Sequence, residues 1–418
     1  MQRILSSHLT EHIGQSVTIA GWVHRRRLLK SVAFLIVRDA AGLGQVVFAD
    51  PAALEGLTEE TVVEVHGRAV ANPTAPGGVE VVEATVTVLG EAEAPPFDLY
   101  RPALTATLPT LLDHAPVALR HPARQRVFRI SAAAVAGFRS TLDGLGFVEV
   151  QTPKIVASAT ESGANVFAID YFGRPAYLAQ SPQFYKQTMV GVFERVYEVG
   201  PVFRAEPHDT VRHLAQYTSL DVEFGFITDH RDVMALLRDV LAGMLAAVAP
   251  LTEVPDVPAK IPSVHFTTAL ELVGAALEED LSAEPDLAPA HERWLGDWAQ
   301  REHGSDFLFV EGYPMAKRPF YTHPDPERPA FSNGFDLLFR GVELVTGGQR
   351  LHRHADYVAA LAGQSLEPYA TYLDAFRHGM PPHGGFAIGL ERFLMRLLGA
   401  ANVREVTLFP RDLNRLTP

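Results

Sequence analysis

Cysteine is absent from all 418 residues. That absence excludes a disulfide framework, cysteine-ligated zinc, iron–sulfur clusters and a thiol nucleophile. Long apolar runs are missing as well. The longest stretch to weigh, residues 240–251, is interrupted near its end by Pro250 and is too short to span a bilayer. Residues 1–8 hold no apolar signal core, so the expectation is a soluble cytoplasmic protein with no membrane partner. No Walker-type loop, no G-x-G-x-x-G and no repeat of fixed period is present, which argues against P-loop, dinucleotide and solenoid proteins.

What the chain does hold is an excess of acid. Its 49 Asp and Glu outnumber 36 Lys and Arg, a net charge of −13. A wholly basic nucleic-acid coat protein is excluded. An enzyme with a locally basic face is not, because the field near a site matters more than the total. The composition is globular, and at ~150 residues per domain the length suggests roughly two or three domains.

Residues 1–95 differ in texture from the rest. Segments 16–22, 33–38, 44–49, 61–70 and 79–89 are rich in β-branched residues or alternate, and Gly, Asn and Pro clusters separate them. Five short strands suggest a small OB-type barrel; strand count alone leaves a β-sandwich open. Residues 91–122 carry repeated prolines, cannot form one helix, and read as a linker. From Arg124 onward, helical periodicity at 124–145, 231–248, 292–302, 353–362, 366–378 and 390–398 mixes irregularly with strand-like runs. These runs lie at 147–150, 196–203, 218–226, 307–310, 334–339, 342–346 and 385–388. That order predicts an α+β domain: a mixed, largely antiparallel sheet flanked by helices. The expected division is a barrel at 1–95, a linker at 96–123 and a catalytic domain at 124–418.

Four constellations carry chemistry. The run V-G-P-V-F-R-A-E at 199–206 puts Arg204 and Glu206 two apart on an expected strand, on one face, where an arginine fork suits phosphate or carboxylate. Alone, F-R-A-E reads as a hairpin with a surface ion pair; with R-H-L at 212–214 it is more specific. P-H-G-G-F-A-I-G-L-E-R at 382–392 leads glycines into a helix bearing Arg392. G-V-E-L-V-T-G-G-Q-R at 341–350 offers Glu343 and Thr346, oxygen donors of the kind Mg²⁺ accepts, or simply a hairpin with a bend. Q-S-P-Q-F-Y-K at 180–186, with T-E-S-G at 160–163, places Gln183 and Lys186 near one another.

In this order and spacing, the set resembles the class II aminoacyl-tRNA synthetases, and within them the aspartyl-tRNA synthetases of the short, archaeal-like type. G-F-V-E-V-Q-T-P at 146–153, F-R-A-E with R-H-L, and G-L-E-R at 389–392 are similar to the three class motifs, the first associated with a homodimer. Q-S-P-Q-F-Y-K, G-G-Q-R at 347–350 and F-P-R-D at 409–412 resemble the aspartyl branch.

The resemblance implies ATP-dependent formation of aspartyl-adenylate, then transfer of aspartate to tRNA. Arg204, Arg392 and Glu343 are the implied catalytic residues. Ala205, Glu206, Arg212, His213 and Leu214 would frame the ATP, with Gly389, Leu390 and Glu391 behind it. Glu343 and Thr346 would hold Mg²⁺. Glu161, Gln183, Lys186, Arg204, Thr346 and Arg350 would bind L-aspartate, with Lys186 and Arg350 facing its side chain. A buried lysine opposite a neutral amide would be unpaired and costly, which favours aspartate over asparagine.

The barrel is similar to the anticodon-binding domain of the family. Phe34, Gln45, Arg38 and Asp39 sit where base-reading strands are expected, and His24 to Arg27 with Lys30 form a basic patch. His24 with Pro76 resembles the non-discriminating enzymes, which charge both tRNA(Asp) and tRNA(Asn). A strictly discriminating aspartyl enzyme, an asparaginyl-tRNA synthetase and an asparagine synthetase are the rivals; the last type lacks a barrel.

Overall fold

The computed structural model describes residues 2–157 and 165–417. Two compact units divide at residue 125.

In the N-terminal unit, strands β1 (Ser16–Leu28), β2 (Ala33–Arg38), β3 (Leu43–Phe48), β4 (Val62–Ala71) and β5 (Val79–Gly90) pair in the order β1-β2-β3-β5-β4. β4 pairs back onto β1, so the sheet closes into a barrel without an open edge. Ile19, Val23, Leu35, Val37, Val46, Val65 and Val81 fill it. β1 runs beyond the stretch that alternation marked. A bulge between Val23 and Arg25 shifts the inside–outside phase at His24, and the apolar alternation stops there. The proline-rich stretch after the barrel holds two short helices, Leu108–Asp113 and Ala115–Ala118. Their prolines stand in the first turn, where no helical N–H is lost.

The C-terminal unit is built on one eight-stranded sheet. Its strands are β6 (Val148–Glu149), β7 (Arg195–Phe203), β8 (Gln216–Gly225), β9 (Ser263–His265), β10 (Phe307–Glu311), β11 (Gly334–Phe339), β12 (Val342–Gln349) and β13 (His383–Gly389). The order is β9-β10-β11-β12-β13-β8-β7-β6. The six central strands are antiparallel, and a short parallel strand lies at each edge.

Helices α1 (Pro122–Gly144), α2 (Gln183–Phe193), α3 (His230–Val248), α4 (Pro289–His303) and α5 (Leu390–Leu397) flank this sheet. Alternation on β8 sends Leu220, Val222 and Phe224 into a core shared with Ile130 and Phe138 of α1 and Leu237 and Leu241 of α3. Tyr217, Ser219, Asp221 and Glu223 therefore share the opposite face. Asp229 caps α3 by accepting from Arg231 N at 2.7 Å. Among the described residues no helix is long and apolar enough to cross a membrane.

Candidate active site

An open cavity lies on the polar face of this sheet. Arg204, Glu206, Arg212, His213, Leu214, Glu343, Thr346, Gly389, Glu391 and Arg392 all line it, so segments up to 188 residues apart in sequence meet there. One local expectation needs correction. β7 ends at Phe203, so Arg204 and Glu206 lie just past the strand rather than on it. They still meet, Arg204 Nη1 standing 3.7 Å from Glu206 Oε1, and the Arg204 guanidinium lies over the Tyr217 ring.

Residues 207–215 loop back to β8. Arg212 donates to Glu292 Oε2 at 3.1 Å, and His213 Nδ1 meets Thr210 Oγ1 at 2.6 Å. Burial lowers the His213 pKa, leaving a neutral ring. Glu292, on α4, also accepts from Glu343 N at 3.1 Å, and burial raises its pKa. Arg392, in the first turn of α5, donates to Glu343 O at 2.8 Å and lies 3.4 Å from Glu343 Oε1. Glu391 accepts from Thr218 N with both oxygens at 3.0 Å, tying α5 to β8. Two expected nucleotide contacts turn elsewhere. Ala205 does not line the cavity; its N–H donates to Asn165 O. Leu390 packs its side chain into the core.

Glu343 and Thr346 fit a magnesium ion. Both line the open cavity, the Glu343 side chain is 41% exposed, the Thr346 hydroxyl also bonds Asp336, and Mg²⁺ takes few protein ligands when water and phosphate supply the others. Beside them, across β11, Asp336 meets Arg318 at 3.2 Å, and burial pushes its carboxyl up to about 6.

Along the same face lies a buried ion cluster. Lys186 Nζ donates to Asp221 Oδ1 at 2.9 Å and stands 3.3 Å from Glu223 Oε2. Arg350 Nε donates to Glu223 Oε1 at 2.9 Å, and its Nη2 donates to Gly385 O at 3.0 Å. A side chain on Gly385 would strike the Glu223 carboxylate, so glycine is required for this approach. Burial works against the Glu223 charge, yet Arg350 and Lys186 hold its pKa below the usual range. The quartet is neutral, so Lys186 is already paired. The argument that an unpaired lysine disfavours a neutral side chain is therefore overturned. Gln183 sits beside this cluster on α2. Glu161 lies outside the described residues.

Asp221, Glu223, Glu292 and Gln187 were missed at the sequence level. The alternation in Y-T-S-L-D-V-E-F carried the signal for the first two: a strand with one apolar and one polar face. Glu292 sits on an ordinary amphipathic helix and carried no signal.

On the barrel, Phe34 and Gln45 share the outer surface, and Gln45 Nε2 donates to Glu80 Oε2 at 2.9 Å. Pro76 opens the turn Pro76–Gly78 near Asn72, which donates to the same Glu80. Arg38 and Asp39 are not available to bases. Arg38 forks onto Glu60 at 2.7 and 2.8 Å, and Asp39 accepts from Ser6, Ala41 and Gly42. His24 is bulged inward and 8% exposed, and burial lowers its pKa to about 4. The structure does not bring it to the surface of Phe34 and Gln45. Arg25 and Arg27 remain exposed, stacked on Tyr100 and Phe34.

Comparison with known proteins agrees with this layout. Residues 108–413 match the family of class II tRNA synthetases (D, K and N), and residues 17–89 match the OB-fold nucleic acid binding domain. A protein of Deinococcus radiodurans named aspartate–tRNA(Asp/Asn) ligase is 45% identical, with 100% of this chain and 99% of that one covered. One of the same name from Thermus thermophilus is 44% identical, with both chains fully covered. Among solved structures, the asparaginyl-tRNA synthetase of Pyrococcus horikoshii with asparaginyl-adenylate aligns at TM-score 0.91 and 28% identity over the whole of both chains. An aspartyl-tRNA synthetase from Entamoeba histolytica aligns at TM-score 0.86 and 27% identity, covering 100% of this chain and 93% of that one. The model match spans well over half the chain and the first two relatives match it from end to end, so the chain belongs to the class II tRNA synthetases, in the D, K and N family.

Proposed function

We propose that this chain is an aspartate–tRNA ligase that charges both tRNA(Asp) and tRNA(Asn). The observation that carries the reading is the cavity in which Arg204, Arg392 and Glu343 converge beside the Lys186–Arg350 cluster. The names of the relatives at 45% and 44% identity support it. Class II synthetases use ATP. In the first step the α-carboxylate of aspartate attacks the α-phosphorus, the bond to the β-phosphate oxygen breaks, and pyrophosphate leaves. In the second, the terminal ribose hydroxyl of tRNA attacks the adenylate carbonyl and AMP leaves. Such chemistry needs positioning and neutralisation of charge, not a protein nucleophile.

Arg204 holds the α-phosphate and the substrate carboxylate, where charge builds up. Arg392 holds the γ-phosphate. Glu206, Arg212, His213 and Leu214 frame the nucleotide, with Gly389 and Glu391 behind it. Glu343 and Thr346 would hold Mg²⁺, which would supply charge neutralisation at the phosphates. Lys186 and Arg350 face the aspartate side chain, pre-oriented by Asp221 and Glu223, while Gln183 and Glu161 take its ammonium. Phe34, Gln45 and Pro76 belong to the anticodon surface, and His24 acts from beneath it. Residues 1–95 serve as the anticodon-binding domain, 96–123 as linker and 124–418 as catalytic domain. Homodimer assembly through residues 146–153 and a cytoplasmic location belong to the same reading.

Aminoacylation with labelled aspartate on purified tRNA(Asp) and tRNA(Asn), side by side, tests it. Comparable charging of both is expected. Charging of tRNA(Asp) alone would remove the relaxed specificity, and pyrophosphate exchange driven by asparagine would replace aspartate as the substrate.

A further inference from the structure

Behind the ion quartet lies a buried polar chain that the proposed reaction does not use. Gln183 and Gln187 are one turn apart on α2, so their amides share a helix face. Gln187 and His383 are both fully buried. The chain begins at the backbone, where His383 Nδ1 lies 2.9 Å from Pro381 O. A carbonyl oxygen can only accept, so Nδ1 carries the proton and Nε2 of the neutral ring is an acceptor. Burial keeps the ring neutral, with its pKa lowered to about 4.

The next link follows from that tautomer. Gln187 Nε2 stands 2.9 Å from His383 Nε2 and 3.0 Å from Tyr357 Oη. Tyr357 spends its own hydrogen on Leu351 O at 2.8 Å, so its oxygen accepts here. Both Gln187 N–H bonds are thereby used. A flipped amide would set its oxygen against the His383 lone pair. Gln187 Oε1 must face the other way, where it accepts from Tyr372 Oη at 2.8 Å and from Gln183 Nε2 at 3.0 Å. This last bond turns the Gln183 nitrogen into the protein. Its Oε1 receives no hydrogen bond from any described residue.

We propose that Gln187, locked by His383, Tyr357 and Tyr372, is the positioning residue that sets the Gln183 amide so that its oxygen, not its nitrogen, meets the ammonium group of the amino-acid substrate. An oxygen accepts from a cation, whereas an amide nitrogen repels it. The inference rests on the reading of Gln183 as an ammonium partner.

Pyrophosphate exchange by the full-length enzyme tests it, with KM for aspartate and for ATP measured separately. In Gln187→Met the orienting acceptor is gone, and KM for aspartate rises about 10- to 100-fold, the worth of one charge-assisted hydrogen bond, while KM for ATP holds. Gln187→Glu keeps an oxygen toward Gln183; burial keeps its carboxyl protonated, so its O–H donates to His383 Nε2 where the amide did, and its KM for aspartate stays within about threefold of wild type. A purely structural role predicts the reverse order, since a buried carboxyl group costs more there than methionine does. His383→Leu removes the lock, raises KM for aspartate alone, and carries the test should Gln187→Met not fold.

Unchanged KM for aspartate in Gln187→Met, a parallel rise of both KM values, or equal damage from Met and Glu would overturn the inference. Gln183→Ala separates the two levels. A rise in its KM for aspartate with Gln187→Met unaffected sinks only the orienting role, whereas no change in Gln183→Ala sinks the ammonium reading itself.

Discussion

Arg204, Arg212 and Arg392 stand in an open cavity with side chains 39, 23 and 28% exposed, while Lys186 and Arg350, on the same sheet face, are 2 and 8% exposed. In the first group Arg212 hydrogen-bonds Glu292 at 3.1 Å, while Arg204 and Arg392 stand 3.7 and 3.4 Å from the nearest carboxylate oxygens of Glu206 and Glu343. The second is closed within a neutral quartet. The contrast teaches how one sheet serves two ligands. A polyanion such as a nucleotide triphosphate supplies its own negative charge, so its arginines can wait in solvent. A small amino acid cannot reward the burial of bare cations, so Asp221 and Glu223 neutralise them beforehand.

The largest effect expected is on the open side. Arg204→Ala or Arg392→Ala should cut pyrophosphate exchange by about 10²- to 10⁴-fold, because each removes a donor where charge develops. The unfolding midpoint should barely move, since partly exposed pairs contribute little. A calorimetric scan beside the exchange assay checks both halves. An Arg392→Ala enzyme with full adenylate formation would break the comparison at its first term.

On the closed side, Glu223→Gln should cost about 3–5 kcal/mol of unfolding free energy, because it leaves two buried cations facing one carboxylate. Denaturant titration of the variant against wild type measures it. A loss below about 1 kcal/mol would mean that the cluster is wetter than its burial indicates.

His383 sharpens the same point through pH. Its folded pKa of about 4 lies below the ordinary 6.5, so the unfolded chain binds the proton more readily. Its effect is nil above pH 6.5. As pH falls from 6.5 to 4, stability should drop, by roughly 3 kcal/mol in total from this group. Stability-against-pH curves for wild type and His383→Leu should diverge in that window, the variant being flatter.

The smallest effect belongs to the barrel. Phe34→Ala should weaken tRNA binding by about 1–3 kcal/mol through lost stacking, and leave adenylate formation untouched. Filter binding and exchange assays on one preparation separate the two.

Much of the architecture was legible because its signals are local. The five long strands of the barrel announced themselves by β-branched runs and Gly or Pro breaks, except that β1 outlasted its apolar pattern at the His24 bulge; the two-residue strand Arg3–Ile4 beside β1 gave no signal. The six central strands of the large sheet and helices α1, α3, α4 and α5 followed their periodicities to within a few residues. The short edge strand β6 falls within the strand read at 147–150, whereas β9 did not show itself, since three residues carry no period. The motif arginines Arg204 and Arg392 were found because glycines and strand ends frame them.

Amino-acid sequence by itself determined the two-part organisation and the sheet class through local periodicity, and the motifs, by their resemblance to a family, marked most of the cavity's residues but not Glu292. Only the tertiary structure decided how charges pair. Lys186 meets Asp221, Arg350 meets Glu223 across 127 residues, Arg212 meets Glu292, and Arg38 turns inward to Glu60. Coulomb attraction and desolvation depend on distance and burial in three dimensions, and neither quantity is written in the order of the residues.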